Sequence, residues 1–129
     1  EPDSLELLSL LGRAQVEAKQ FEHAVQTLSR STAQDPKFRY GEAYGMLATA
    51  LRSLGRSAEA EAALEALLKA NSSSVEGWYR LGALRKASGD PAGAKKSWGE
   101  ATKTYRTLPP FQRRKQWPWY LLSSLSHLF

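Results

Sequence analysis

The sequence predicts an all-α protein built as an array of antiparallel helix pairs. The main observation is a repeat. Tyr44, Leu47, Ala48, Gly55, Ala60, Leu64 and Leu67 recur, 34 residues on, as Trp78, Leu81, Gly82, Gly89, Ala94, Trp98 and Ala101. A constant step of this length is the mark of stacked helical repeats. The second observation is that apolar residues recur at helical spacing in two runs per step. The third is punctuation: Asp35-Pro36, Gly55, Asn71-Ser72-Ser73-Ser74 and Gly89 separate the runs with turn chemistry.

The elements follow in order. A first helix is predicted over roughly 4–18, carrying Leu5, Leu8, Leu11, Gly12 and Gln15, with Asp3 as cap and Glu6 reaching back as in a capping box. A second covers roughly 21–34 with Phe21, Ala24, Val25 and Leu28, and stops at Asp35-Pro36, because proline has no amide to donate and disfavours helix in the residue before it. A third spans roughly 41–54 and ends near Gly55, a natural left-handed terminator. The fourth spans roughly 57–70 behind a Ser57 cap, and the fifth roughly 74–88 behind Ser73, with Glu76 completing a capping box. Asp90-Pro91 sets a cap and then proline at the first helical position, opening a sixth helix over roughly 91–107. Leu8, Leu11, Gly12, Ala24 and Leu28 make the first pair a repeat too; Leu8 to Tyr44 is 36 residues, which puts two extra residues in the turn around Phe38 to Tyr40. After Leu108 the pattern breaks. Pro109-Pro110 ends the sixth helix, and Pro118 opens a last segment, Trp119 to Phe129, that covers the unmatched apolar end of the array.

Residue size explains the repeat. A lone helix pair leaves apolar surface bare, and stacking the next pair covers it. Gly12, Ala48 and Gly82, with Ala24, Ala60 and Ala94, let the two helices of a pair approach closely. Tyr44, Trp78, Leu64 and Trp98 are expected to fill the space between pairs.

Composition bounds the function. The 129 residues are 42% hydrophobic and 24% charged, as in an ordinary soluble domain, and contain no cysteine, which excludes disulfides and thiolate metal sites. No run of 18 apolar residues exists to span a membrane. The net charge of +5 is uneven. Residues 1–74 hold 8 Lys/Arg and 10 Asp/Glu; residues 75–129 hold 10 and 3. A basic half favours nucleic acid, anionic lipid or an acidic protein. The chain opens Glu-Pro-Asp without an initiator methionine or signal peptide and reads as a fragment or processed form. A cytoplasmic location is the default expectation, with the soluble part of a membrane-anchored protein as the alternative.

The period, the Tyr44/Trp78–Leu–small spacing, the Gly55 and Gly89 turns, the Ala60 and Ala94 contacts and Asp35-Pro36 together resemble the tetratricopeptide repeat. The resemblance covers about residues 5–108 as three repeats, near 5–38, 41–74 and 75–108, in a single domain over 1–129 whose extension from 109 to 129 holds a capping helix. It implies a right-handed superhelix that binds a peptide or protein segment in its concave groove, as an adaptor or scaffold. The first helix of each pair would line that groove. By matching position, Glu6, Glu42 and Glu76 would form an acidic rail and Arg13, Arg52 and Lys86 a basic stripe. The contact set expected for an acidic peptide is Arg13, Thr49, Arg52, Tyr79, Arg80 and Lys86, with guanidinium forks on carboxylates. The alternative is that these cations are solvated and paired with local glutamates. Members that clamp the C-terminal carboxylate of heat-shock chaperones use lysines and asparagines. The matching places here hold Ser9, Arg13, Met46, Glu76 and Arg80, which argues against that ligand.

Catalytic constellations are missing from the sequence. His23 and His127 fall on different predicted helices, and no phosphate loop, nucleophile elbow or zinc spacing occurs. The reading is a binding module, not an enzyme, with no cofactor, monomeric or weakly homo-oligomeric. Two alternatives remain. Lys95, Lys96, Lys103, Arg106, Arg113, Arg114 and Lys115, interleaved with Phe111, Trp117 and Trp119, would suit nucleic acid or an anionic surface. The open end of the array would suit self-assembly.

Overall fold

One three-residue turn, used three times, makes the helix pairs. The computed structural model describes the backbone of residues 4–128 and the side chains of residues 4–126. Its helices are α1 (Leu5–Glu17), α2 (Phe21–Gln34), α3 (Glu42–Ser53), α4 (Ser57–Ala70), α5 (Val75–Ala87), α6 (Pro91–Thr107) and α7 (Pro110–Leu128). Lys19, Gly55 and Gly89 close α1, α3 and α5 with φ of 60°, 77° and 87°. In each turn that residue's amide reaches back three residues, and the next amide reaches back five: Arg56 N to Leu51 O at 2.9 Å, Asp90 N to Arg85 O at 2.9 Å, Gln20 N to Gln15 O at 2.8 Å. This is the Schellman arrangement, which satisfies the last helical carbonyls and turns the chain back on itself.

The chain divides into two compact units, Glu1–Asn71 and Ser72–Phe129. In the first, α1 packs on α2, α2 on α3, and α3 on α4. Its core is Leu8, Ala24, Leu28, Leu47, Ala48, Leu51, Ala60 and Leu64, all buried. The two extra residues fall where the spacing predicts, in a 3-10 turn over Phe38–Gly41. Arg39, Tyr40 and Gly41 are all left-handed there, with φ of 48°, 56° and 80°. In the second unit α5, α6 and α7 pack on one another. Val75, Ala101 and Leu108 form a buried cluster against Trp78, Tyr105, Trp119 and Tyr120.

The helix bounds agree with the sequence reading to within a residue for α1 to α6, but three caps shift by one. Ser4 caps α1, accepting from the Leu7 amide; Asp3 lies outside the described residues. Ser74, not Ser73, caps α5, accepting from Gly77 N at 2.9 Å. Ser57 is the first residue inside α4, whose cap is Arg56 with no side-chain bond. Asp90 does cap α6, accepting from Gly93 N at 2.9 Å.

Two larger corrections concern the C-terminal half. The last helix begins at Pro110, not after Pro118, and runs through Pro118. Pro110 occupies the first helical position, where a missing amide costs nothing. Pro118 has no amide to donate to Arg114 and costs roughly 3 kcal/mol in an isolated helix. Contacts on both sides offset that cost: Gln116 Oε1 accepts from Glu76 N at 3.4 Å, and Tyr120 stacks on Tyr105 at 4.2 Å. The second correction is Trp98. It fills the space inside its own pair, over Gly82, rather than between pairs. A Cβ at Gly82 would meet Trp98 Cδ1 at 2.6 Å and Cε2 at 2.9 Å. Leu28 takes the same place over Gly12, its Cγ 2.8 Å from where a Cβ would stand. Tyr44 does sit between pairs, lining an open cleft of about 370 Å³ with Val25 and Ser29 of α2 and Ala62, Ala63 and Ala66 of α4.

Candidate functional site

In the first unit the facing surfaces of α1 and α3 bring together one member of the expected rail, Glu42, and one of the stripe, Arg13. Glu42 opens α3, just after the left-handed turn. Its Oε1 accepts from Ser9 Oγ at 3.0 Å and from Arg13 Nη2 at 3.1 Å. Arg39 Nη1 stands 3.9 Å from the same oxygen. Ser9 is buried, whereas the Arg13 side chain is 50% exposed. The carboxylate therefore fixes one nitrogen of Arg13, while half of the side chain stays open to solvent. Thr49 Oγ1 donates to its own helix, at Gly45 O 3.2 Å away. Arg52 lies in the exposed last turn of α3.

In the second unit α7 covers part of the expected contact set. Tyr79 lies 5.8 Å from Trp119, centroid to centroid, and the Arg80 guanidinium sits 4.9 Å over the Trp119 ring. Arg80 Nε also donates to Glu76 Oε2 at 2.8 Å. Cation, carboxylate and indole hold one another, so Arg80 is a structural contact of α7 as well as a surface charge. Lys86 is exposed in the last turn of α5, with Nζ 6.0 Å from the Trp98 ring centre. Glu42 and Glu76 are thus both engaged by arginines. The role of Trp119 could not be assigned from sequence, because its partners depend on the register of a helix that crosses a proline. Arg39, which stands near Glu42, lies in the left-handed inserted turn.

Arg56 forks onto Glu59, with Nε to Oε1 at 2.9 Å and Nη2 to Oε2 at 2.7 Å, on the rim of the cleft beside Tyr44. Those hydrogen bonds hold the Glu59 carboxyl below its ordinary range and raise Arg56. Among the described residues no group of three His, Cys, Asp or Glu could hold a metal. Among them, too, no helix is long and apolar enough to cross a membrane.

Residues 46–104 match the tetratricopeptide repeat profile. That segment belongs to the tetratricopeptide repeat family. No curated protein matches the chain in sequence. Solved structures match it in fold. PcrH in complex with the chaperone binding region of PopB superposes with a TM-score of 0.82 at 16% identity, covering 98% of this chain and 96% of that one. The type III secretion chaperone SycD of Yersinia enterocolitica, in complex with a peptide of the translocator YopD, gives 0.78 at 16% identity, covering 99% and 95%. MamA MSR-1 C2 gives 0.72 at 20% identity over 80% of this chain, which spans only 58% of that protein. At these identities the likeness is one of fold. The tetratricopeptide match indicates no enzymatic family.

Proposed function

We propose that this tetratricopeptide protein is a non-catalytic interaction module that holds an acidic peptide segment against the first helices of its pairs. The observation that carries the reading is Arg13. Glu42, itself held by the buried Ser9, accepts from it, yet half of its side chain faces solvent. A positioned guanidinium loses less freedom on binding a carboxylate than a mobile lysine does. In Glu1–Asn71 the proposed contacts are Arg13, Thr49 and Arg52. In Ser72–Phe129 they are Lys86 with the Tyr79 and Arg80 pair against α7. The complexes of PcrH with a PopB region and of SycD with a YopD peptide support peptide binding on this fold. The module would act as an adaptor or scaffold, without a cofactor.

The test is fluorescence anisotropy with a panel of extended peptides that differ only in Asp/Glu content. Binding should rise with acidic content, and R13E/R52E/K86E should weaken it at least tenfold while the far-ultraviolet spectrum stays helical. Equal binding of acidic and neutral peptides, or an unaffected triple variant, would remove the electrostatic basis of the proposal.

A further inference from the structure

α7 uses one side to close the second unit. Gln116, Trp119, Tyr120 and the fully buried Ser123 face inward. The opposite side carries large apolar side chains. Trp117, Leu121 and Leu125 follow at steps of four and are 54%, 47% and 45% exposed, with Phe111 and Leu122 beside them. Arg114 and Lys115 are exposed two turns or less from the start of the helix, and α7 carries no Asp or Glu. Arg113 Nε anchors that end to Leu108 O at 2.8 Å. Arg106, in the last turn of α6, adds a further cation just before the corner. Residues 72–129 hold ten Lys/Arg against three Asp/Glu, a balance of +7.

We infer that the outer face of α7 is a docking surface for an anionic lipid bilayer, on which it lies flat. Large apolar side chains flanked by cations, with a tryptophan among them, fit the boundary between headgroups and acyl chains. Charge selects this occupant over the others. A second copy packed through the same face would bring a second strongly basic unit against the first, with no carboxylate on either α7 to offset it. Nucleic acid would need a row of cations to follow its phosphates. Here Arg114 and Lys115 lie at one end of the helix, and the rest of the face, Trp117, Leu121, Leu122 and Leu125, carries no cation. Nineteen residues of helix lying in the interface need no span across the membrane.

The experiment is sedimentation of the whole chain with vesicles of phosphatidylcholine, with and without phosphatidylserine. We expect binding to the phosphatidylserine vesicles that falls as salt is raised. R114Q/K115Q should weaken it roughly thirtyfold, from about fivefold per cation near the surface. L121Q/L125Q should weaken it about tenfold or more without altering net charge. Both pairs are exposed, and a helical far-ultraviolet spectrum confirms that each variant folds. A folded chain that ignores both kinds of vesicle overturns the inference, and so does equal binding to both. A dimer that L121Q/L125Q dissociates, in the absence of vesicle binding, reassigns the face to a second copy. Binding of a single-stranded oligonucleotide in place of vesicles reassigns it to nucleic acid.

Discussion

Gly82 and Gly45 are both helical glycines, yet the structure predicts opposite outcomes when each becomes alanine. At Gly82 the added Cβ would stand 2.6 Å from Trp98 Cδ1 and 2.9 Å from Cε2. The indole is rigid and buried, and its Nε1 donates to Tyr79 O at 3.2 Å. It must move, which strains the pair and endangers that bond. Overpacking costs about 1–3 kcal/mol and the lost hydrogen bond about 1 kcal/mol. Alanine returns about 1 kcal/mol of helix propensity. The net expectation for G82A is a loss of roughly 1–3 kcal/mol. At Gly45 the nearest atom to a new Cβ is Leu67 Cδ2, at an ordinary 3.7 Å. G45A should therefore gain up to about 1 kcal/mol. Urea unfolding followed by circular dichroism and tryptophan fluorescence reads both. If G82A is as stable as the parent, the indole does not occupy the space that Gly82 leaves, and the packing account of the pair fails.

Three further outcomes are expected. K19G should stabilise the first unit by about 0.5–1 kcal/mol, since Lys19 holds the left-handed φ that glycine supplies in the two later turns; thermal melting reads the shift. W119A should cost roughly 2–3 kcal/mol, because the ring supports both Tyr79 and Arg80; an unchanged midpoint would show that α7 does not close its unit through this residue. E42A should cost about 1–3 kcal/mol, because it leaves the buried Ser9 hydroxyl without its acceptor. It should also mobilise Arg13, visible as narrowed side-chain resonances in nuclear magnetic resonance spectra.

The fold was legible because short-range chemistry writes it. Glycine is the least strained residue for a left-handed turn, and proline cannot continue a helix without cost, so Gly55, Gly89, Asp35-Pro36 and Pro91 mark ends within the local sequence. The end of α2 and the starts of α4 and α6 follow from those marks. Pro118 misled for the same reason. Its local penalty is real, but α7 is held on both sides of it by contacts 40 and 15 residues away in sequence, Glu76 with Gln116 and Tyr105 with Tyr120. The caps of α1 and α5 shifted by one because two adjacent residues each offered a capping oxygen, and only backbone geometry chooses between them; at α4 the cap, Arg56, makes no side-chain bond. The candidate surface was legible in part. Periodicity placed Arg13, Arg52 and Lys86 on first helices. It could not show that Arg13 meets Glu42, 29 residues away, or that Arg80 lies under an indole of the last helix. Such pairings depend on helix register, which no local signal carries.

The central claim is that this tetratricopeptide array captures protein through cations on its first helices. A nuclease-treated pull-down from the source cell's lysate, comparing the parent chain with R13E/R52E/K86E by mass spectrometry, tests it most directly. The account predicts at least one protein retained by the parent and lost by the folded variant, with capture indifferent to nuclease. Capture that survives the reversal, or that disappears on nuclease treatment alone, would contradict it.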